Sequence, residues 1–245
     1  MSKLIHSGTI GLLTSETGRY GRFWLHFQSL ILPPRVKLIS KMSLNIAEAR
    51  DEIIQEAEGE WVWFMDDDHT FQPNLLQNLL AREVPVIQPL VLSRYSPFGP
   101  VMMGPPTPDL TAQYRFALMD GIDRPGLKDC GALGAAGMLI RRNVLEAVGS
   151  PWFSRRPTDL IKVSEDITFS RRAKDKGFKL YTDMQNMMGH LNVGEVWPDL
   201  GPDGQWRTKV IFGGNTYYIP KAEPTMVIED GKVRLSDGPP DPAGT

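Results

Sequence analysis

The chain has 245 residues, 41% of them hydrophobic and 23% charged, with a net charge of −2 and a pI near 6.1. That length buries a substantial core as one large α/β domain or two small ones, and the near-neutral balance excludes a general attraction to nucleic acid or anionic membrane. A single cysteine, Cys130, excludes an internal disulfide and a multi-cysteine zinc site, and no apolar stretch approaches the ~18 residues of a transmembrane helix, so a soluble, cytoplasmic protein is expected.

Residues 9–14 (TIGLLT) predict an apolar strand, and the polar, glycine-bounded stretch 15–21 predicts a loop of the kind that touches ligands. Trp24, Leu25, Phe27, Leu30 and Ile31 predict a helix that stops at Pro33 and Pro34, and 36–40 a second short strand. The next helix is well marked. Asn45 with Glu48 makes a capping box, Ile46, Ala49, Ile53 and Ala57 keep helical spacing, and Gly59 ends it. Arg50 lies beside its apolar face, either as a surface arginine or as a cation reaching over the strand ends towards a diphosphate.

Residues 61–65 (WVWFM) form the apolar run expected of a strand buried on both faces. This strand leads directly into Asp66, Asp67, Asp68 and His69, at the sheet edge where open α/β folds bind ligands. The two-residue alternation of an extended chain puts Asp66 and Asp68 on one side and Asp67 on the other. Two shielded carboxylates repel unless a cation or proton lies between them, and a divalent ion such as Mg²⁺ or Mn²⁺ is the simplest remedy. The alternative is a solvated acidic turn ahead of a helix that Pro73 opens and Leu75, Leu76, Leu79 and Leu80 stripe. Placement straight after a buried strand favours the metal.

A strand at 84–92 completes a β-α-β-α-β alternation, which implies a parallel sheet with right-handed crossovers. The proline- and glycine-rich stretch 93–108 reads as a lid or acceptor-facing excursion, and 113–119 as a strand. Gly131, Gly134 and Gly137 lack the G-x-G-x-x-G spacing and precede a strand, so they imply close approach of a backbone to something flat or bulky. Residues 143–148 form a short helix ended by Gly149, followed by Trp152 and Phe153 as core-filling aromatics. Ser164 caps a helix with Glu165 and Asp166 in its first turn and Gly177 at its end; a strand at 178–182 follows, with Gly189, His190 and Leu191 in the loop beyond. From about Trp197 the alternation ceases. Segments 225–229 and 232–235 flank an Asp230-Gly231 hairpin turn, and 236–245 reads as a disordered tail. The expected organisation is a catalytic domain over 1–196, an extension over 197–235 and the tail.

Together these residues resemble the GT-A glycosyltransferases, in particular the family 2-like enzymes of bacteria and their phages, over roughly residues 5–192. AEARDEIIQEAEGEWVWFMDDDHTF is similar to that family's helix, strand and DxD motif, GALGAAGMLIRR to its acceptor-side glycine segment, and SEDITFSRRAKDKGFKLYTD with the following GH to its ED-containing helix and beyond. The resemblance implies a mostly parallel central sheet flanked by helices, with a C-terminal extension, and transfer of a sugar from a UDP- or GDP-sugar. On that pattern Asp66 holds the ribose or joins the metal, with Asp67 beside it on the donor. Asp68 binds Mn²⁺ or Mg²⁺ bridging the diphosphate, and His190 is a further metal ligand. Asp166 matches the general base, with Glu165 as helix cap or acceptor contact, and Thr14 and Ser40 fall where the nucleobase is held. Attack opposite the leaving group would invert the anomeric centre.

Three rivals are compatible with the same residues. A nucleotidyltransferase needs a glycine- and lysine-rich phosphate loop, where this chain has only Arg19 and Arg22 as cations; a metal-dependent phosphohydrolase could use the DDDH cluster; and a non-catalytic carbohydrate-binding protein would keep the fold without turnover. The acceptor implied is a protein side chain, a glycan or a modified DNA base, in the host cytoplasm if the chain is phage-encoded. The pairs Arg141-Arg142, Arg155-Arg156 and Arg171-Arg172 form either a DNA-facing stripe or a solvated face.

Overall fold

Trp61, Val62, Trp63, Phe64 and Met65 are each fully buried, and the fold is arranged on both sides of the strand they make. The computed structural model describes residues 7–14, 20–43, 45–94, 98–104, 126–155, 163–192, 194–212, 215–219, 226–229 and 232–235. The expected loop at 15–19, strand at 113–119 and tail at 236–245 lie outside them, as does part of the 93–108 excursion.

The N-terminal half alternates as its sequence predicts: β1 (Ser7–Thr14), α1 (Gly21–Gln28), β2 (Arg35–Met42), α2 (Ile46–Glu56), β3 (Trp61–Asp66), a short β4 (His69–Phe71), α3 (Leu75–Ala81) and β5 (Val86–Val91). After β6 (Met102–Met103) come β7 (Leu127–Cys130), β8 (Ala132–Leu133), β9 (Leu139–Arg141), α4 (Arg142–Val148) and α5 (Glu165–Asp175). The chain continues through β10 (Leu180–Leu191), β11 (Glu195–Leu200), β12 (Trp206–Phe212), β13 (Asn215–Ile219) and the pair β14 (Met226–Glu229) and β15 (Lys232–Leu235).

The main sheet runs β13-β12-β11-β10-β5-β9-β3-β1-β2. Strands β2 and β3 each pair parallel with β1, and β5 is parallel to β10, as crossover connections require. Strand β9, which follows the glycine segment, enters antiparallel between β3 and β5, and β11 to β13 add antiparallel strands, so the sheet is mixed. The alternation of β3 divides two cores. Val62 and Phe64 face Ile53, Phe153 and Phe169 on the α2 and α5 side, while Trp61, Trp63 and Met65 face Phe23, Phe71 and Leu75 on the α1 and α3 side. A strand with no solvent face has to be apolar throughout, which accounts for the unbroken run.

Three boundaries differ from expectation. Helix α1 ends at Gln28, before the prolines, because Ile31 donates its N–H to Pro73 O (2.8 Å) and not to a carbonyl of its own helix. Strand β10 runs to Leu191 instead of stopping at 182. Its polar centre is a bulge, with a register shift between Asp183 and Met187 where buried Asp183 pairs with Arg82 Nε (2.7 Å). His190 therefore sits in a strand and not in a loop. Finally, the sheet crosses the expected boundary at residue 196 without a break, since β11 begins at Glu195 and pairs with β10. Strands β14 and β15 pair antiparallel, with Glu229 opposite Lys232, and the expected turn at 230–231 lies outside the described residues. Among the described residues no helix is long and apolar enough to cross a membrane.

The loop after α4 is clamped from both sides. Asp51 on α2 accepts the amides of Trp152 (3.0 Å), Phe153 (2.7 Å) and Ser154 (3.0 Å), while Arg172 Nη1 on α5 donates to the carbonyls of Pro151, Trp152 and Ser154. Buried hydrogen bonds to a charged partner are among the stronger ones, and removing that partner strands the amides. Asp51→Ala is expected to lower the unfolding free energy by about 3 kcal/mol in a urea titration at neutral pH. A loss under about 0.5 kcal/mol, the size of an ordinary surface substitution, would contradict the clamp.

Candidate active site

The carboxyl ends of β1, β3 and β5 open onto a cavity of about 770 Å³. Thr14, Met42 and Ser43 line it at the ends of β1 and β2, Asp66 to His69 after β3, Gly134 to Ala136 ahead of β9, Glu165 and Asp166 at the start of α5, and His190 on β10. Among the described residues, five carboxyl groups and two guanidiniums, Arg50 and Arg94, line this space.

Asp66 and Asp68 line the same cavity but do not share one partner. Strand β3 ends at Asp66 and the chain turns through 67 and 68 before β4 begins, so strand alternation no longer applies across them. Asp66 faces Arg50, with Nη2 3.2 Å from Oδ1 and 3.4 Å from Oδ2. Asp67 is buried, and its N–H donates to Leu13 O (3.2 Å). Asp68 meets His69 Nδ1 at 2.8 Å, His190 Nε2 at 3.5 Å and Arg94 Nη1 at 2.7 Å. The two imidazoles stack, with centroids 4.3 Å apart, because β4 runs antiparallel to β10 with His69 opposite His190.

The ligand atoms of Asp68, His69 and His190 lie within 4.8 Å of one another. Nδ1 and Nε2 of His69 and Oδ1 of Asp68 are buried with no well-formed hydrogen bond among the described residues; the 2.8 Å approach of His69 to Asp68 is short but misaligned. Buried polar atoms without partners are costly, and one cation among them would satisfy them together, so the residues fit a metal. Without one, burial would raise the Asp68 pKa, but His190 and His69 outweigh it and hold the carboxyl well below the usual range. Burial likewise works against a charged His69, and Asp68 outweighs it, raising the imidazole pKa.

Arg50 does not offer its guanidinium to a ligand in this arrangement. It is almost fully buried, with Phe153 and Phe64 beneath it at 5.6 and 5.9 Å, and it bridges Asp66 to Glu165 on α5. Asp166, next to Glu165, accepts from Ser164 Oγ and from the Ile167 amide (2.7 Å). Its pKa is raised, by burial first and then by the charge of Glu165. Ser40 is exposed and lies outside the cavity lining, because β2 extends two residues beyond its expected end: Leu12 pairs with Ser40, whereas Thr14 pairs with Met42. Met42 and Ser43 take the place expected of Ser40. His69, named in the sequence as part of the DDDH cluster but not as a metal ligand, and Arg94, which local sequence reasoning missed, complete the site. The sequence signal for His69 was the short alternating HTF after the turn.

Three members of the arginine pairs are held by backbone carbonyls, and Arg156 lies outside the described residues. Arg141 Nη2 donates to Leu80 O (2.9 Å), Arg142 Nε to Gly59 O (2.9 Å), and Arg172 is part of the loop clamp.

Residues 25–82, from α1 to the end of α3, match the model of glycosyl transferase family 2. The solved structure of A197 from STIV is similar over 81% of this chain and 92% of its own, at 13% identity and a TM-score of 0.52. That of GalNAc-T7 with UDP, GalNAc and Mn²⁺ is similar over 78% of this chain and 45% of its own, at 12% identity and a TM-score of 0.52. The chain has the GT-A glycosyltransferase fold, and its acidic strand end lies in the segment that is similar to family 2. No curated protein sequence matches it. Within this GT-A fold, Asp66, Asp67, Asp68 and His69 belong to the family-matching segment, and Asp166 and His190 are brought to them from outside it.

The geometry separates the metal-binding candidates. His69→Ala and His190→Ala are each expected to weaken Mn²⁺ binding at least about tenfold, the low end of what losing even an outer-shell partner costs, in an electron paramagnetic resonance titration. Asp66→Asn is expected to change it far less. Equal losses in all three variants would place Asp66 in the cluster.

Proposed function

We propose that the protein is a glycosyltransferase that moves a sugar from a nucleotide-diphosphate donor to an acceptor hydroxyl, with a divalent ion on Asp68, His69 and His190 and with Asp166 as general base. One observation carries this reading: a single cavity holds both a carboxylate–imidazole cluster and, on α5, a carboxyl group of raised proton affinity. The family 2 match and the GT-A fold support it, as does the presence of UDP and Mn²⁺ in the GalNAc-T7 structure.

The ion supplies charge stabilisation for the departing diphosphate. Two imidazoles with one carboxylate favour a first-row transition ion over Mg²⁺, and Mn²⁺ also accepts phosphate oxygens. Asp66, held by Arg50, offers carboxylate oxygens to the ribose hydroxyls. Thr14, Met42 and Ser43 flank the nucleobase end, and the small residues Gly134, Ala135 and Ala136 leave room for a sugar ring. Asp166 takes the proton of the acceptor hydroxyl as its oxygen attacks the anomeric carbon; a pKa above that of an ordinary carboxylate makes it the stronger base for that step. Attack from the face opposite the diphosphate inverts the configuration. With Arg141, Arg142 and Arg172 committed to backbone carbonyls, a glycan or protein hydroxyl suits the site better than a DNA base.

A panel of nucleotide sugars incubated with Mn²⁺ is expected to yield nucleoside diphosphate from at least one donor, with release abolished by a chelator. Asp166→Asn is expected to lower kcat by ~10²–10⁴ with little change in donor KM. Because the base must be ionised, the wild-type rate falls as pH drops through the raised Asp166 pKa, placing the acid limb above the ~4 of a free carboxylate. An Asp166→Asn rate equal to wild type would remove the base assignment, and release that no acceptor accelerates would mark a phosphohydrolase.

A further inference from the structure

We propose that Arg94 is a diphosphate-binding residue that Asp68 holds in reserve until a divalent ion displaces it. The inference rests on the reading above, that the cavity takes a metal and a nucleotide diphosphate. Arg94 stands just beyond β5, with its Nη1 2.7 Å from Asp68 Oδ2. Its backbone is anchored: Asn192 Nδ2 donates to its carbonyl (3.4 Å), and the neighbouring Ser93 amide donates to Gly99 O (2.8 Å). The Arg94 side chain is 23% exposed, whereas Arg50, the other guanidinium facing the cavity, is 3% exposed and bridges two carboxylates.

Asp68 is claimed by a guanidinium and two imidazoles at once. A dication seated on Asp68, His69 and His190 repels a guanidinium bound to the same carboxylate, so the ion and Arg94 compete for it. Once displaced, Arg94 stays tethered at the cavity wall and presents a planar fork of N–H donors that matches phosphate oxygens. Among the described residues the cavity's carboxyl groups outnumber its two guanidiniums, which disfavours a diphosphate. The ion changes this twice, by adding two positive charges and by turning the Arg94 guanidinium, one of the two already there, from Asp68 towards the ligand. Metal and nucleoside diphosphate therefore assist each other's binding, and by linkage each raises the other's affinity by the same factor.

The test uses the full chain, titrated with Mn²⁺ alone by electron paramagnetic resonance and then with UDP or GDP at saturating Mn²⁺ by calorimetry. Arg94→Gln is expected to bind Mn²⁺ alone about fivefold more tightly than wild type, the scale of removing a partly exposed competing charge. It is expected to bind the diphosphate about tenfold more weakly. Arg94→Lys, which keeps the charge and loses the fork, is expected to match wild type with Mn²⁺ alone and still bind the diphosphate less well. Circular dichroism checks that each variant is folded. Unchanged or weaker Mn²⁺ binding by Arg94→Gln overturns the proposal, as does unchanged diphosphate binding. If the wild type takes up neither Mn²⁺ nor a nucleoside diphosphate, the transferase reading fails first. Wild-type uptake that Arg94→Gln leaves unaltered removes only the role of Arg94.

Discussion

Repulsion among five carboxyl groups at one sheet edge is the constraint that the rest of this structure answers. Unit charges about 4 Å apart near a protein surface interact by about 4 kcal/mol, so such a cluster persists only where each member has a partner or keeps its proton. The chain uses both. Arg50 takes Asp66 and Glu165, His69, His190 and Arg94 share Asp68, and Asp166, beside an ionised neighbour and partly shielded, shifts towards its protonated form. The proposed chemistry follows from this division: the carboxylate with imidazole partners suits a metal, and the one with raised proton affinity suits proton abstraction.

The scaffold sets these partners in place through packing. Strand β3 is apolar on both faces because helices cover both, and its only polar exit is at its carboxyl end. Arg50 reaches that exit because α2 packs along β1 and β2, with Phe64 and Phe153 beneath the guanidinium. Phe153 is fixed in turn by the clamp between Asp51 and Arg172, so a loop outside the site helps to orient the cation that orients Asp66.

Much of this was legible in the sequence wherever one element decided the outcome. The WVWFM run, the capping box at Asn45 and Glu48, and the acidic first turn of α5 each depend on neighbours within a few residues, and each element formed where its pattern placed it. The failures lie where two segments had to meet. Asp66 and Asp68 line one cavity, as alternation implied, but the turn at 67 and 68 gives them different partners. The polar TDMQN stretch read as a strand end and was a bulge stabilised by Arg82 from the C-cap of α3, which no local pattern contains. Ser40 was misplaced by two residues because the end of β2 is set by its register with β1, not by its own composition.

His69 is the clearest instance of the same limit. On its own it is a buried imidazole in a three-residue strand, and only the pairing of β4 with β10 lays it against His190. The two histidines are far apart in the chain, so loop closure opposes their meeting and the strand ladder has to offset that cost. Thr70 opposite Gly189 belongs to the same ladder, and a side chain at 189 would collide with Thr70 and Trp197. That glycine lets β4 and β11 close on β10, and it therefore governs the spacing of the two imidazoles one residue away. The metal-fitting cluster is thus a product of strand register: the acidic motif contributes one ligand, and the antiparallel pairing brings the other two into range.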